Sequence, residues 1–460
     1  MIKRIAVLLG ILSLGVLVRA DVSTTTVNQN RLGMYGNEGG ITQTIAIINT
    51  ELALIQATGV KTYRWNSDFW ASVETASGTF DYTKLDQIVA IVTGTASGQY
   101  GMDMILTMPI SASWTPKAET CPQNEPYTGS AVGCTHFPTN DMGLLYRFYN
   151  NIATRYGNNI LYEVWNEPDN PAFWKASLFP DTTGYILVAT TAYVAIKAGA
   201  PTAEVLLGPI AFPRGSVLTG STTHYAQHHY DGELLAGLAG NATNYTLTYH
   251  NYYDGEGGGV TSMVALSSMT AIAKANSCTP TFIVDEINKF GGSFTTGDHE
   301  AEEVGKSSFT LRSFALLFST NAANGAVVKR ILFHDLKGLD FSALDTSYNP
   351  RYSYYTVGNF AKGLNGYTPQ GEQSSGNTHI LKFTSGSSAK YVAWTESGTA
   401  SWTPSPAPSS AIRTDVYGNS SVVPGASFNP FSLTPDPAIF NFTSQSYQLQ
   451  GVTLRGITLQ

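Results

Sequence analysis

Residues Leu161 to Asn170, with the sequence LYEVWNEPDN, carry the pattern on which the interpretation of the chain depends. The run from Leu161 to Trp165 is typical of the end of a buried strand, and Pro168 stops that strand because proline cannot donate a hydrogen bond within a sheet. Glu167 is therefore predicted at the carboxyl end of a strand. Most glutamates near strand ends are solvated surface groups, so this position alone does not establish a function.

A second acidic residue occupies an equivalent position in the stretch Thr281 to Phe290, TFIVDEINKF. Thr281 to Val284 forms another buried-strand run, and Glu286 follows it. The two glutamates are about 120 residues apart, which matches three βα units of a (β/α)8 barrel at roughly 30 to 40 residues each. Because the strands of such a barrel end at one mouth, the spacing predicts that both carboxyls meet there.

Asn166-Glu167 and Glu286 resemble the catalytic residues of the retaining glycoside hydrolases of clan GH-A. In that clan an Asn-Glu pair ends the fourth barrel strand and supplies the acid/base, and a glutamate that ends the seventh strand supplies the nucleophile. The resemblance is closest to family 39, the group of β-xylosidases and related glycosidases. The sequence from Asp285 to Asn288 departs from that family's most usual seventh strand, which leaves a sister family open. Retention implies that the two carboxyls lie about 5 to 5.5 Å apart.

Other strand ends supply candidates for the sugar site. Arg64 ends the second strand, where the clan has an arginine that hydrogen-bonds the nucleophile, and a fixed cation there would keep Glu286 ionised. Asn166 would hold the sugar 2-hydroxyl. The other candidates are Trp114 after the third strand, His250 and Tyr252 at the end of the sixth, and His334 after the eighth.

Several of these positions have simpler interpretations. Tyr252 could donate to the nucleophile or be an ordinary half-buried aromatic residue. Trp70 and Trp174 could stack on sugar rings, but tryptophans in loops are more often packing residues. Asp285 is a rival nucleophile. Since neighbours in a strand face opposite sides, we expect only one of Asp285 and Glu286 to point into the mouth, and the clan pattern selects Glu286.

Alternating strand and helix patterns predict a single α/β barrel, a (β/α)8 TIM barrel, rather than an array of repeats. The predicted strands are Arg31 to Tyr35, Val60 to Trp65, Met102 to Met108, Leu161 to Trp165, Val205 to Pro209, Leu247 to His250, Phe282 to Asp285 and Arg330 to Phe333. Helical patterns between them include Tyr82 to Thr93, Asp141 to Tyr156, Thr183 to Ala198 and Ser307 to Ala323.

The composition changes after about Leu364, where Gly, Ser, Thr and Pro dominate and short runs alternate with the period of a strand. These runs are His379 to Phe383, Lys390 to Trp394, Ile412 to Tyr417 and Tyr447 to Leu454. We therefore predict a signal peptide at 1–20, the barrel at 21–364 and a β-sandwich at 365–460, with residues 21–30 as a candidate extra strand of the sandwich. A domain that buttresses the barrel is favoured over one that binds sugar independently.

The first 20 residues are typical of an export signal. Lys3 and Arg4 precede an apolar run from Ile5 to Val18, which at about 14 residues is too short for a comfortable membrane span. Small residues suited to cleavage precede Asp21. We therefore expect a secreted, extracellular protein, with a retained membrane-surface anchor as the alternative.

The net charge of the chain limits the classes of partner that it can be expected to bind. The formal net charge is -7, and charged residues make up only 13% of the chain. Nucleic acids and anionic membranes need basic patches, so neither is expected as a partner, whereas neutral carbohydrate is compatible. Aromatic residues make up 12%, which suits an aromatic-lined cleft. The sequence does not define an oligomeric state.

Cysteine and histidine spacing predicts no metal and no cofactor, because no group has the spacing of zinc ligands. Adjacent His228 and His229 point apart on any regular element. Cys121 and Cys134 bracket a Pro/Gly-rich loop, and in an oxidising compartment we expect a disulfide between them. Cys278 is predicted to be a buried thiol. The glycosylation triplets at Asn241, Asn244, Asn419 and Asn441, with the export signal, suggest a glycoprotein.

The sequence thus predicts a secreted retaining glycosidase that cleaves β-linked bonds in oligo- or polysaccharides with two glutamates. The alternative is a non-catalytic carbohydrate-binding or cell-wall protein on a barrel scaffold. The presence of both glutamates and Arg64 argues against that alternative. An esterase lacks support because the chain has no G-x-S-x-G nucleophile elbow.

Overall fold

The computed structural model of the protein describes a parallel barrel followed by an antiparallel β-domain. It describes residues 26–36, 41, 43–66, 70–94, 99–108, 111–112, 114–115, 138–170, 173–174, 182–211, 230–238, 245–253, 260–278, 281–289, 299–319, 327–337, 342–373, 376–405 and 407–443. Several sequence predictions fall outside these residues: the signal peptide, the Cys121–Cys134 loop, His228-His229, Asn241, Asn244 and the run Tyr447 to Leu454.

Eight strands form one parallel sheet that closes on itself. They are β1 Leu32–Tyr35, β2 Thr62–Asn66, β3 Asp103–Met108, β4 Ile160–Val164, β5 Val205–Leu207, β6 Leu247–Tyr253, β7 Thr281–Lys289 and β8 Val327–Phe333. Their order is β5-β4-β3-β2-β1-β8-β7-β6. Parallel bridges from Leu206 to Thr246 and from Ile210 to Tyr249 join the two outer strands. The predicted (β/α)8 barrel is confirmed.

Within the described residues, eight long helices accompany these strands. They are α1 Ile45–Thr58, α2 Thr83–Thr93, α3 Met142–Tyr156, α4 Thr182–Gly199, α5 Tyr230–Leu238, α6 Val260–Ala275, α7 His299–Ser319 and α8 Tyr352–Gly363. Asp141 caps α3 by accepting from the amides of Gly143 and Leu144, as its position in the sequence favours. The predicted start of α7 at Ser307 is wrong. The helix begins at His299, eight residues earlier. Its first turns are rich in glutamate, which suits the positive end of a helix, but they lack the apolar periodicity from which a helix is predicted.

The barrel interior is filled by side chains. Five fully buried residues from five different strands form its apolar layer, which we call the interior floor: Ile105, Leu161, Leu206, Ile283 and Leu332. Polar side chains occupy the next positions towards the carboxyl ends of the strands, such as Glu163 on β4, two residues beyond Leu161. This layering places polar side chains at the carboxyl-terminal mouth, where the active sites of TIM-barrel enzymes lie.

The C-terminal region is a β-sandwich, as predicted. Its strands are β9 Thr368–Glu372, β10 Thr378–Ser385, β11 Ser388–Thr395, β12 Ala400–Trp402, β13 Ser410–Thr414, β14 Ser420–Pro424, β15 Phe431–Leu433 and β16 Ala438–Thr443. Six of them form an antiparallel sheet in the order β9-β10-β11-β16-β13-β14, and β12 pairs with β15 separately. Trp402, Phe428 and Phe440 fill the space between the two sheets with edge-on ring contacts.

The predicted strand Ile412 to Tyr417 ends early. The carboxylate of Asp415 accepts hydrogen bonds from the amides of Tyr417 and Asn419, which turns the chain after Thr414. Asn419 lies exposed on this turn, whereas Asn441 is half-buried.

The barrel and the β-domain pack directly on each other. Phe360 of α8 meets Phe383 of β10 edge-on, with ring centroids 6.5 Å apart. At the start of the described chain, Val27 forms an antiparallel bridge with Tyr367, just before β9. Cys278 is a buried free thiol, as expected. No described helix has the length and apolar character needed to cross a membrane.

Candidate active site

Glu167 is presented by a tight turn at the end of β4. Trp165 and Glu167 both have positive φ angles, 72° and 45°, a conformation that non-glycine residues seldom adopt and that often occurs at functional sites. The turn is pinned by a hydrogen bond from Trp165 Nε1 to the Phe173 carbonyl at 2.9 Å. Asn170 Nδ2 donates to Glu167 Oε2 at 2.6 Å. The carboxyl is therefore held in one orientation while its residue keeps 8% exposure.

The two loop tryptophans pack in the protein interior. Trp174 is fully buried and meets Trp165 edge-on at 5.1 Å. Trp70 is also buried and stacks on Phe148 at 4.6 Å. Neither tryptophan can serve as an exposed platform for a sugar ring, so the packing interpretation is the one that the structure supports.

Glu286 lies at a β-bulge in β7. In the pairing with β6, Tyr249 lies opposite Val284 and His250 lies opposite Glu286, so that β7 has one extra residue, Asp285. A bulge changes the direction of side chains next to it and is common beside active sites. Both Asp285 and Glu286 consequently point inward. The expectation that only one of them could do so was wrong, because it assumed a regular strand.

The bulge also explains why β7 is longer than predicted. The expected strand Phe282 to Asp285 ends at the first acidic residue, but β7 continues to Lys289 and β6 likewise continues to Tyr253. Polar residues in these strands line the mouth of the barrel rather than marking a loop.

Arg64, the central residue of β2, connects Glu286 on β7 to the residues at the end of β4. Its Nη1 contacts Glu286 Oε1 at 2.5 Å, and its Nη2 donates to Asn166 Oδ1 at 2.9 Å. Its Nε donates to Glu163 Oε2 at 2.8 Å. Arg64 is fully buried, with its guanidinium 5.4 Å from the ring centroid of Tyr35. A single planar cation thus fixes groups from β4 and β7.

His250, Tyr252 and His334 surround the other oxygen of Glu286. The Tyr252 hydroxyl donates to Oε2, His250 Nδ1 lies 3.3 Å from it, and His334 Nε2 lies 3.7 Å from it. Burial raises the pKa of Glu286, but His250, Arg64 and the Tyr252 hydroxyl outweigh burial and lower that pKa to about 2. Glu286 is therefore ionised at neutral pH, as a nucleophile requires.

The two histidines carry different charges. Burial lowers the pKa of His250, but the neighbouring carboxylates Glu286, Asp285 and Glu167 raise it well above the usual value. For His334, burial and the nearby positive charges of His250 and Arg64 lower the pKa to about 4. At neutral pH His250 is thus a cation and His334 is neutral.

The carboxyls of Glu167 and Glu286 converge on His250. Glu167 Oε1 lies 2.6 Å from His250 Nδ1, and one oxygen of each glutamate and a ring nitrogen of His250 all lie within 4.8 Å of one another. Three such groups could in principle hold a metal ion. Arg64 already places a fixed positive charge 2.5 Å from Glu286, which favours ion pairing over binding of a second cation at this position.

Trp114 is placed differently from the other predicted site residues. Its Nε1 donates to the Glu74 carbonyl at 2.9 Å, and its ring meets Trp70 edge-on. These contacts tie it to the hairpin Glu74–Phe80 and not to the carboxylates. The sequence interpretation missed Glu163, which contacts Arg64 from within β4. The alternation of inward positions from Leu161 to Glu163 was a signal that could have identified it.

Solved structures share this architecture. A family 39 glycoside hydrolase from the gut symbiont Bacteroides cellulosilyticus superposes with a TM-score of 0.63 at 16% identity, covering 91% of this chain and 81% of the other. A GH30 endoxylanase from Clostridium papyrosolvens gives 0.55 at 13% identity, covering 92% and 99%. A monomeric β-xylosidase from Caulobacter crescentus gives 0.56 at 12% identity, covering 93% and 98%. The chain has the fold of clan GH-A glycoside hydrolases.

The likeness is one of structure and not of sequence. No protein-family model and no curated protein matches the chain. The fold implied by the clan resemblance is confirmed over almost the whole chain, because both the barrel and the β-domain are covered in these superpositions.

Proposed function

We propose that the protein is a secreted retaining glycoside hydrolase that cleaves β-linked glycosidic bonds in oligo- or polysaccharides. Glu167 acts as the acid/base and Glu286 as the nucleophile. The observation that carries the proposal is the convergence of their carboxylate oxygens within 4.8 Å around His250, with Arg64 paired to Glu286. The nearest oxygens of the two carboxyls are thus no more than 4.8 Å apart, and this leaves Glu286 close enough to reach the anomeric carbon directly, as the nucleophile of a retaining enzyme does.

The reaction proceeds in two displacements. In the first, Glu286 attacks the anomeric carbon while the glycosidic C–O bond breaks and Glu167 gives its proton to the leaving oxygen. The product is a glycosyl ester of Glu286. In the second, ionised Glu167 takes a proton from water, the water oxygen attacks the anomeric carbon, and the Glu286 carboxylate leaves. Glu167 is then protonated again.

The fixed charges of the site suit this chemistry. Arg64 and Tyr252 hold the Glu286 carboxylate in place before the attack, so little reorganisation is needed when its charge moves to the new bond. Asn166 Oδ1 accepts from Arg64, which orients its amide NH2 as a donor for the sugar 2-hydroxyl. A contact of that kind strengthens in the transition state.

β-Xylosides are the first substrates to test. The structural neighbours include proteins described as a β-xylosidase and an endoxylanase. Hydrolysis of a panel of aryl β-glycosides, followed by product analysis on β-linked oligosaccharides, identifies the sugar. The absence of turnover on every member of the panel would favour the non-catalytic carbohydrate-binding alternative.

Substitutions of the two glutamates separate their roles. Glu286→Gln should abolish turnover of every glycoside, because the amide cannot attack. Glu167→Ala should still be glycosylated by activated aryl glycosides, whose leaving groups need no proton, and added azide should restore deglycosylation. Glu204→Gln, at the opposite end of the barrel, is the matched control. Turnover that survives in Glu286→Gln would contradict the assignment of the nucleophile.

Export is a further part of the proposal. The positively charged start, the short apolar run and the small residues before Asp21 support cleavage of a signal peptide. In the resulting oxidising compartment Cys121 and Cys134 would form a disulfide, and exposed Asn419 would be a favourable glycan acceptor. Mass spectrometry of the secreted protein, before and after reduction and deglycosylation, tests all three features.

A further inference from the structure

Two buried carboxyls lie beneath the catalytic pair. Glu163 of β4 and Asp285 of β7 are completely buried, whereas Glu167 and Glu286 keep 8% and 6% exposure. The interior floor on their other side is apolar. Glu163 and Asp285 are therefore shielded from a bound sugar, and they can influence the reaction only through the side chains above them.

Glu163 is bonded to Arg64. Its Oε2 accepts from Arg64 Nε at 2.8 Å and also from the hydroxyl of Thr107 on β3. Its Oε1 is buried and accepts no hydrogen bond from the described part of the chain. One oxygen of Glu163 thus helps to orient the guanidinium that holds Glu286, and the other is left without a donor.

Asp285 faces both cations of the site. Its Oδ2 lies 3.4 Å from Arg64 Nε and 3.6 Å from His250 Nε2. The other ring nitrogen of His250 contacts Glu167. His250 therefore connects Asp285 to the acid/base, as Arg64 connects Glu163 to the nucleophile.

Glu163 and Asp285 also approach the same atom, since Arg64 Nε lies 2.8 Å from Glu163 Oε2 and 3.4 Å from Asp285 Oδ2. Neither oxygen of Asp285 accepts a hydrogen bond from the described residues, and Glu163 Oε1 is in the same situation. Two carboxyl groups can be joined by a hydrogen bond only if one of them carries a proton. Two ionised carboxylates at this distance in a buried site would repel each other strongly.

The charge balance of the cluster requires such a proton. Arg64 and His250 supply two positive charges, and four carboxyls, Glu163, Glu167, Asp285 and Glu286, surround them. A buried cluster is stable when its charges compensate, so two of the four carboxyls must be protonated. In the proposed mechanism Glu167 donates one of these protons to the leaving oxygen. Glu286 must be ionised to attack, which leaves the second proton to Glu163 and Asp285.

We propose that Glu163 and Asp285 share one proton and act as a pair of positioning residues, which keep Arg64 in place for Glu286 and keep His250 positively charged beside Glu167. This inference rests on the proposed glycosidase function. In support, burial first and the Asp285 charge next raise the pKa of Glu163 well above its usual value, in spite of Arg64. The pair then carries one negative charge at neutral pH.

Other titratable groups surround Glu163 and Asp285. The titratable groups that face this pair come from α4 and four strands or strand ends: Tyr185, Arg64, Tyr249, His250, Glu286 and His334. The charged groups among them at neutral pH are Arg64, His250 and Glu286. Removing the single negative charge of the pair should therefore lower the pKa of His250, because a stabilising anion is lost.

Infrared difference spectroscopy tests the shared proton without depending on activity. The comparison is made in Glu167→Gln protein, so that the catalytic proton does not contribute. Adding Glu163→Gln or Asp285→Asn at neutral pH should each remove one protonated carboxyl C=O band and leave the carboxylate bands unchanged, since the remaining partner ionises in both cases. Loss of a carboxylate band would show that both groups were ionised and would overturn the proposal. Adding Glu204→Gln is the control and should remove a carboxylate band.

A double-substitution cycle tests the consequence for catalysis. Either single amide alters a contact to Arg64 or His250 but keeps one negative charge, so each should lower kcat about threefold. The double variant should lose more than about 30-fold, which exceeds the product of the two single losses. The alkaline limb of the kcat profile should move to lower pH in the double variant alone, because His250 then loses its proton more easily. Additive effects without a shift of that limb would contradict the pair.

The two proposals fail in different ways. A wild-type protein that cleaves no glycoside removes the glycosidase function, while the infrared comparison can still be read. An active wild type whose two buried carboxyls are both ionised removes only the shared proton. Far-ultraviolet circular dichroism of each variant checks that it is folded, and the single variants decide the question if the double variant does not fold.

Discussion

Tyr249 and Tyr252 lie three residues apart on β6 and have contrasting hydroxyl groups. The Tyr252 hydroxyl donates to Glu286, whereas the buried Tyr249 hydroxyl has no hydrogen-bond partner among the described residues. Tyr252→Phe should raise the pKa of Glu286 from about 2, because a group that stabilises its charge is removed. In the proposed mechanism Glu286 attacks as a carboxylate, so activity is lost as the pH falls through its pKa. We therefore expect the acidic limb of kcat/KM to move to higher pH.

We also expect kcat of Tyr252→Phe to fall about 100-fold. Tyr249→Phe is the matched control and should leave kcat, the acidic limb and the thermal stability nearly unchanged, since no hydrogen bond is lost. Steady-state kinetics between acidic and neutral pH measure all of these quantities. If the acidic limb of kcat/KM does not move in Tyr252→Phe, that result contradicts the hydrogen bond from the Tyr252 hydroxyl to Glu286.

The residues at the site divide clearly into those that sequence patterns could predict and those that they could not. Glu167 was predictable because it follows an apolar strand, and Arg64 because the clan resemblance places an arginine on the second strand. Glu163 was harder to identify, because a charged residue inside a buried strand contradicts the apolar pattern of the strand and only its alternation with Leu161 indicates its inward direction. The inward direction of Asp285 depends on the β7 bulge, which arises from pairing with β6 and β8 and so is absent from local sequence.

At the scale of elements, the end of β4 depends on a close approach by the chain after β5. A Cβ atom at Gly208 would lie 2.3 Å from the Val164 carbonyl oxygen and 2.7 Å from the Tyr185 hydroxyl. That hydroxyl donates to the same carbonyl and accepts from the Gly208 amide. Gly208→Ala must therefore displace the turn that presents Glu167.

We expect Gly208→Ala to lower kcat more than it raises KM and to cost about 1 to 3 kcal/mol of stability. Gly363→Ala is the control, because its nearest side-chain neighbour would lie at an ordinary 3.8 Å, and it should change neither quantity appreciably. Kinetics and thermal unfolding of both variants give the comparison. A wild-type kcat in Gly208→Ala would show that the turn does not depend on this contact.

The existence of the elements was easier to predict than their ends. Apolar runs identified all eight barrel strands, because strands buried on both faces have few polar residues. The ends of β6 and β7 were misplaced for one physical reason. The residues beyond the predicted ends include Asn251, Glu286 and Asn288, which are polar and yet buried, since they line the mouth instead of leaving the sheet.

At the scale of the whole molecule, a charged cluster joins the barrel to the β-domain and makes stability depend on pH. His379 of β10 lies between Glu372 and Glu396, with its Nε2 3.0 Å from Glu396, and Arg312 of α7 lies 3.4 Å from the same carboxylate. Burial lowers the pKa of His379, but the two carboxylates raise it to about 9. A histidine whose pKa is raised on folding stabilises the protein fully below its unfolded pKa of about 6.5.

That stabilisation is lost as the pH rises towards about 9, the folded pKa of His379. Because the cluster is partly exposed, we expect the loss to be about 1 to 2 kcal/mol. Urea unfolding of the wild type and of His379→Gln at several values between pH 6 and pH 9 measures it. The variant should lack this part of the pH dependence. Equal pH dependence in both proteins would contradict the pairing.

The bridge between Val27 and Tyr367 limits how this protein can be divided. Thr26 hydrogen-bonds Thr368 through its side chain, and its carbonyl accepts from Arg31, whose guanidinium also bonds the Val328 carbonyl at the start of β8. The segment before β1, which includes Thr26 and Val27, is thus held by hydrogen bonds to the segment between the barrel and the β-domain, which includes Tyr367 and Thr368. A truncated barrel that stops before residue 367 would lose these hydrogen bonds at its N-terminal segment. A chimera with another accessory domain would need residues that form equivalent hydrogen bonds to Thr26 and Val27.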